Sequence, residues 1–340
     1  MIEFFAEYGL FLLKTVTIVI AVIVIIGAAS AASKKAAHHE GLEVENLNKK
    51  YRSIANALKQ AVLSKGDWKK VAKEEKECEK AEVKSAESKP RAFIIDFKGD
   101  LKASAVPSLR EEVSAVLNVA TKDDRVIIRL ENHGGVVHEH GLAASQLARI
   151  RDREIPLTVA VDKVAASGGY LMACVANEVV AAPFAILGSI GVLAQIPNFN
   201  RMLDEHGVDF EMITAGKYKR TVTMFGENTD EDRAKLKEEL EDVHVLFKGA
   251  VAKYRPDLDL EKVATGEHWY GTRALELGLA DMLKTSDELL AELAGDHDLY
   301  RLTYKIKLPL QKRLMASADA LLDRADALGW RRRFESRLPR

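Results

Sequence analysis

The chain has 340 residues, enough for one sizeable globular domain with accessory segments or for two small domains. Its 50 Lys and Arg residues nearly cancel its 51 Asp and Glu residues, so no global field points to nucleic acid or to a strongly acidic partner. Aromatic residues make up 6% of the chain, and alanine-bearing helical stretches are frequent, which leans toward an α/β or helical class.

The first clear element is apolar. From Thr15 to Ala32 the chain carries no charge, and Tyr8 to Leu13 extend this reach across one lysine, Lys14. About 20 apolar residues cross the hydrocarbon core of a bilayer, so residues 8–32 are expected to form a single transmembrane anchor. The rival is a cleaved secretory signal, since Ala28 to Ala32 resemble a small-residue cleavage site. Against it, Glu3 and Glu7 precede the apolar run where a signal would carry a basic cluster. Lys34, Lys35, Lys49, Lys50 and Arg52 follow the span and favour a cytoplasmic body by the positive-inside rule.

Residues 33–90 mix charges of both signs at helical spacing and read as a charged helical stalk or linker. From Arg91 the texture changes to short apolar runs alternating with amphipathic helical patterns. Strands are expected over 92–97, 125–130, 157–162 and 178–182, and helices over about 105–120 and 138–152, with another opening at Ser167. Alternation of this kind favours a parallel sheet with right-handed crossovers, and continuously apolar strands fit burial on both faces. Farther along, residues 209–215 read as a strand and 230–253 as a long helix. Residues 274–283 read as a helix capped by Gly278 and followed by a short strand. The tail from Gln311 is amphipathic and arginine-rich, which fits a membrane surface, a partner subunit or a plain surface helix.

Cysteine usage is uninformative about compartment. Cys78 lies in a charged run and Cys174 in an apolar one, with no metal-ligand spacing; Cys174 reads as a small core residue.

The candidate chemistry centres on Val161 to Tyr170, V-D-K-V-A-A-S-G-G-Y. A strand ends, small residues follow, and Ser167 opens a helix whose unpaired N–H groups would suit a developing oxyanion. Taken alone, the same serine reads more readily as a helix N-cap, a position that serine prefers. A second glycine pair, Gly134 and Gly135, follows the strand 125–130 and either contributes a second backbone donor or is a tight turn. Turns at the same edge of a parallel sheet converge on one crevice.

A serine nucleophile needs a base. His133, His138 and His140 cluster after the first glycine turn but match no familiar zinc spacing, and His206, His244 and His268 lack an acidic orienter nearby in sequence. Lys217 and Lys219, in A-G-K-Y-K-R, emerge at the end of the expected strand 209–215. They read as candidate bases or as a basic surface turn.

Four ordered motifs carry a resemblance: S-G-G-Y, F-A-I-L-G-S-I-G-V, A-G-K-Y-K-R and G-E-H-W-Y-G-T-R-A-L-E-L-G-L-A-D. The chain resembles the signal peptide peptidase A family of bacterial serine proteases over nearly its whole length. The resemblance implies a ClpP/crotonase-like α/β fold behind an N-terminal transmembrane helix, with a peptidase domain over 91–295 and a strand plus basic tail over 296–340. It implies a Ser–Lys endopeptidase with Ser167 as nucleophile, Lys219 as general base, Ser189 positioning that lysine, and Gly135 and Gly168 as oxyanion donors. No metal, nucleotide or other cofactor is implied.

The implied partners are polypeptide substrates such as signal-peptide remnants, membrane lipid, and further copies of the chain in a homo-oligomer; no nucleic acid is. Implied too is a bacterial inner-membrane location with a periplasmic body, against the charge cue above. His133 stands where relatives usually carry proline, and Val192 stands where the related caseinolytic protease has its base histidine. Two rival classes are a catalytically silent scaffold of the same fold and an acyl-CoA-type enzyme, the latter usually needing acidic residues instead of a Ser–Lys pair.

Overall fold

A computed structural model describes residues 9, 12–17, 20, 41–84 and 89–306. Ten strands are present among them: β1 (Gly41–Asn46), β2 (Arg91–Lys98), β3 (Arg125–Glu131), β4 (Leu157–Val161), β5 (Val164–Ala166), β6 (Glu178–Ala181), β7 (Ile186–Gly188), β8 (His268–Tyr270), β9 (Met282–Leu283) and β10 (Asp298–Lys305). Residues Leu42–Tyr304 make one compact unit.

Seven strands form the main sheet in the order β1-β10-β2-β3-β4-β6-β9. The pairs from β10 to β9 are all parallel. Period-two alternation explains why its strands read as continuous apolar runs. Phe93, Ile95 and Phe97 enter one core with Val126, Ile128 and Leu130, whereas Ala92, Ile94 and Ile127 enter a second core. The first is covered by helices Val106–Val119, Val137–Arg151 and Gly168–Ala173, and the second by Ser286–Leu293 and the start of Leu47–Val62. The chain is thus a mixed α/β protein with a mostly parallel sheet, as the strand–helix alternation predicts.

A second, three-stranded sheet runs β5-β7-β8, with β5 parallel to β7 and β8 antiparallel to it. A bridge between Asn132 and Ala165 ties the end of β3 to β5. This small sheet carries the serine segments away from the main sheet's edge, and it is what positions the site.

Residues 209–215, expected as a strand, pair with nothing and lie exposed. Of their apolar residues, Ile213 faces outward at 94% exposure, while Phe210 packs against the Phe225 ring with centres 5.8 Å apart. The helix expected near 274 runs Gly271–Glu276, with Gly278 (φ 80°) just past its end and β9 following. The segment read as a stalk is helical over Leu47–Val62 and Lys65–Lys84, but its described part opens with β1 at the edge of the main sheet. Asn48 anchors it: its Oδ1 accepts Leu299 N–H at 2.7 Å and its Nδ2 donates to the carbonyls of Ala294 and His297.

Among the described residues no helix is long and apolar enough to cross a membrane. The expected anchor, 8–32, lies outside the described residues except for 9, 12–17 and 20, which are helical. The basic tail from Gln311 lies wholly outside them.

One buried acid makes the fold sensitive to pH. Glu112, on helix Val106–Val119, is 5% exposed, and its Oε1 accepts the Tyr304 N–H at 2.7 Å. Burial pushes its carboxyl up to about 7. A carboxyl raised above its unfolded value stabilises the fold fully below that value, and the contribution is lost as pH climbs through about 7. Glu112→Gln keeps the acceptor and removes the charge. Above pH 7 it should stabilise the fold by roughly 1–3 kcal/mol, with the gain shrinking toward pH 5, as read by urea unfolding at the two values.

Candidate active site

Ser167 follows β5 directly and precedes helix Gly168–Ala173. An N-capping serine has extended φ/ψ and accepts an N–H from the first turn. Ser167 does neither: its φ is 54° and ψ −121°, and its side chain makes no cap hydrogen bond. Such a conformation costs a non-glycine residue on the order of 1–3 kcal/mol and persists only where the surroundings impose it. Here they do. Ser167 N–H donates to the Gly188 carbonyl at 2.8 Å, and the Ser167 carbonyl accepts Leu171 N–H at 3.0 Å. The strand-to-helix turn thereby leaves the half-buried Oγ without a partner among the described residues.

Ser189 stands beside it. The last registered pair of β5 and β7 is Ala166 with Gly188, so Ser167 and Ser189 are the next residues out on adjacent parallel strands. Ser189 is also left-handed, φ 52°, with its N–H held by the Glu267 carbonyl at 2.6 Å.

The two glycine turns meet at the same place. Among the described residues no acceptor meets the backbone N–H of Gly135 or of Gly168. A Cβ on Gly134 would lie 2.7 Å from Ser167 Cβ and 2.8 Å from Gly168 N, so the turns approach within contact distance. A Cβ on Gly135 would overlap the Leu101 carbonyl, and one on Gly168 would lie 2.5 Å from the His140 ring. Both positions therefore require glycine on steric grounds alone. Gly135, Gly168 and Ser167 line one cavity of about 200 Å³. Its wall is mostly apolar: Val137, Leu171 and Val192, with Val243, Leu246 and Phe247 from helix Asp230–Tyr254.

Lys219 is not brought to this cavity. It is exposed, in the segment between Val192 and Gly226. Its N–H donates to the Gly216 carbonyl, and no described residue pairs with its Nζ. Lys217 is differently placed. Its Nζ lies 2.7 Å from Glu231 Oε1 and 5.0 Å from the Tyr218 ring centre, and these neighbours, Glu231 first, hold its ammonium well above the usual lysine range. A lysine kept cationic is not a base.

Three of the described histidines have contacts elsewhere. His244 Nε2 contacts the Ile190 carbonyl at 3.2 Å, His206 Nδ1 contacts the Met202 carbonyl, and His268 stacks edge-on against Tyr270. His133 and His138 are exposed. His140 is fully buried and reaches Asn132, a residue that sequence reasoning missed. Among the described residues no group of three or more His, Cys, Asp or Glu could hold a metal ion. Cys174 is a core residue, as expected: it is fully buried, and burial pushes its thiol up to about 12.

The motifs interlock around the serine. Tyr170 OH donates to the Leu279 carbonyl at 3.1 Å, tying S-G-G-Y to G-L-A-D. Asp281 Oδ2 accepts the Val179 N–H, and both its oxygens take Arg255 hydrogens at 2.7 and 2.8 Å.

The peptidase family S49 N-terminal model matches residues 3–147, and the peptidase family S49 model matches residues 149–300. "Probable protease SohB" of Haemophilus influenzae is 44% identical over 325 residues, 92% of each chain. Its namesake in Buchnera aphidicola from Acyrthosiphon pisum is 54% identical over 230 residues, 68% of each. Among solved structures, a lysine-to-alanine mutant of the 1510-N membrane-bound stomatin-specific protease, in complex with a substrate peptide, aligns at a TM-score of 0.43 and 12% identity, covering 68% of this chain and 99% of that one. The two family matches, joined end to end across nearly the whole sequence, make this chain a protease of peptidase family S49.

Proposed function

We propose that the chain is a membrane-anchored serine endopeptidase of the ClpP/crotonase fold, working through a Ser167–Lys219 dyad. The observation that carries this is the conformation of Ser167. A strained serine with a free Oγ, beside two unpaired N–H groups, matches what acyl transfer requires and has no use as a helix cap. Ser167 Oγ attacks the peptide carbonyl while neutral Lys219 takes its proton. The N–H groups of Gly135 and Gly168 hold the oxyanion, Lys219 returns the proton to the leaving amine, and water then hydrolyses the acyl-enzyme. Ser189, next to Ser167 across the strand pair, is the group that holds the lysine. The apolar cavity suits a substrate with an apolar side chain before the scissile bond. Signal-peptide remnants and misfolded membrane polypeptides offer such residues.

Lys219 acts from a neighbouring copy in this reading. A catalytic lysine must be desolvated to be neutral, yet Lys219 is exposed in the protomer. Its segment also carries Leu193, Met202, Val208 and Ile213, all at least half exposed, which is the signature of an unfilled contact. Residues 8–32 anchor each copy, with the body on the periplasmic side of the inner membrane.

The test is to mix detergent-solubilised Ser167→Ala and Lys219→Ala chains in equal amounts, letting subunits exchange. Sites built from two copies should recover about a quarter of wild-type peptidase activity, the product of two one-half probabilities. No recovery after demonstrated exchange contradicts a shared site.

A further inference from the structure

We propose that Asn132 and His140 form a buried positioning pair that sets the spacing of the two oxyanion donors, Gly135 N–H and Gly168 N–H. The inference rests on the reading of those groups as the oxyanion hole, and it concerns residues that the dyad chemistry leaves unused.

Asn132 is fully buried at the junction of both turns. Its backbone is stitched to the strand that delivers the nucleophile: its N–H donates to the Val164 carbonyl at 2.8 Å, and its carbonyl accepts Ala166 N–H at 3.0 Å. Its side chain serves the other turn, with Oδ1 accepting Gly134 N–H at 2.9 Å. Nδ2 points at Met172 Sδ, 3.3 Å away, on the helix that Ser167 opens. One residue thus touches β5, the Gly134–Gly135 turn and helix Gly168–Ala173. The close packing leaves no spare room, since a Cβ on Gly99 or on Gly169 would overlap Asn132 itself.

His140 completes the link. Its ring is fully buried, with Nε2 3.2 Å from Asn132 Oδ1 and Nδ1 3.0 Å from the Val136 carbonyl. The Gly134 N–H fixes which end of the Asn132 amide is oxygen. That oxygen has no hydrogen to give, so the contact to His140 is a bond only when Nε2 carries the proton; the neutral ring then leaves Nδ1 as an acceptor facing the Val136 carbonyl, and only the doubly protonated ring donates to both. The Cβ, Cγ and Cδ2 atoms of the same side chain lie against Gly168, leaving no room there for a Cβ. One donor turn is therefore held through Asn132 Oδ1, and the other is backed by the ring that bonds to that oxygen. A shift of a fraction of an ångström between donors misaligns them with the tetrahedral oxyanion while leaving the apolar substrate cavity in place.

This predicts a loss in kcat without a matching change in KM. In the full-length, detergent-solubilised protein, His140→Leu keeps the volume and removes the Nε2–H bond. It should lower kcat by about 10- to 100-fold with KM within about threefold of wild type, because the donors it misaligns bind the oxyanion only in the transition state. His140→Gln carries an amide hydrogen that can reach Asn132 Oδ1, and should recover most of that loss. Asn132→Asp keeps the acceptor and should remain far more active than Asn132→Leu.

Equal impairment of the Gln and Leu variants, or a His140→Leu kcat within about twofold of wild type, overturns the proposal by reducing the pair to packing. If His140→Leu does not fold, His140→Gln and Asn132→Asp decide alone: kcat within about tenfold of wild type is expected, and a loss as deep as that of Ser167→Ala contradicts it. Ser167→Ala run alongside separates this from the dyad reading, since an active Ser167→Ala chain sinks the nucleophile and not the pair.

Discussion

Ser167→Ala should lower kcat/KM for peptide hydrolysis by at least about 10³-fold while leaving the protein folded, because in the proposed mechanism it removes the nucleophile and keeps the oxyanion donors. The stability readout is as informative as the rate. Ser167 sits at φ 54°, ψ −121°, which alanine must adopt at the same cost as serine. Glycine adopts it freely, so Ser167→Gly should be equally inactive yet more stable than Ser167→Ala by about 1 kcal/mol, after allowing for the entropy that glycine adds to the unfolded chain. Thermal melts of the two inactive variants measure this. A glycine variant less stable than the alanine variant would mean that the serine is not strained. Wild type is the third arm: loss of a cap would make Ser167→Ala less stable than wild type by about 1 kcal/mol, whereas shared strain leaves the two alike.

Lys219→Ala should be comparably inactive, by about 10³-fold, because an unassisted serine hydroxyl is a weak nucleophile at neutral pH. Lys217→Ala, two residues away, should stay within about threefold of wild type, since exposed ion pairs contribute little and its ammonium is occupied by Glu231. The contrast is measured by initial rates on one peptide at one pH. The reverse ranking would assign the base to the wrong lysine. Equal, mild effects would remove lysine from the mechanism altogether.

The fold was legible where burial is two-sided. Strands β2, β3, β4 and β6 read as apolar runs because the sheet is covered on both faces, and the helices between them read from their spacing. Strand β1 was not legible, since it lies at the sheet's edge with an exposed, charge-bearing sequence, Gly-Leu-Glu-Val-Glu-Asn. Residues 209–215 failed the other way. Their apolar pattern is real, but a pattern does not supply a strand partner, and those side chains lie exposed in the protomer.

The site was legible in parts. The glycine turns and Ser167 do converge, but not at one edge of one sheet: Gly134 and Gly135 follow β3 of the main sheet, whereas Ser167 follows β5 of the small sheet, whose register with β7 adds Ser189. Sequence left open whether Ser167 caps a helix, because the same residues fit both readings and only the dihedral angles separate them.

Asn132 and His140 were missed although each carried a signal. Asparagine two residues before a glycine is the pattern of an Asx turn, and Asn132 Oδ1 accepts the Gly134 N–H in that way. Of the three clustered histidines, His140 alone falls in phase with Ala143, Ala144, Leu147 and Ile150, the buried stripe of its helix. Treating the three as one cluster hid that phase. Lys219 could not be placed by spacing, since its environment depends on what covers an exposed segment.

In the proposed mechanism Ser167 is an activated nucleophile in the assembled protein. Its most direct measurement is reaction of the detergent-solubilised full chain with a fluorophosphonate probe, followed by peptide mass mapping. A covalent adduct is expected on Ser167, absent in Ser167→Ala and strongly slowed in Lys219→Ala. An assembled chain that hydrolyses peptides while Ser167 stays unlabelled, or one that labels at another serine, would contradict it.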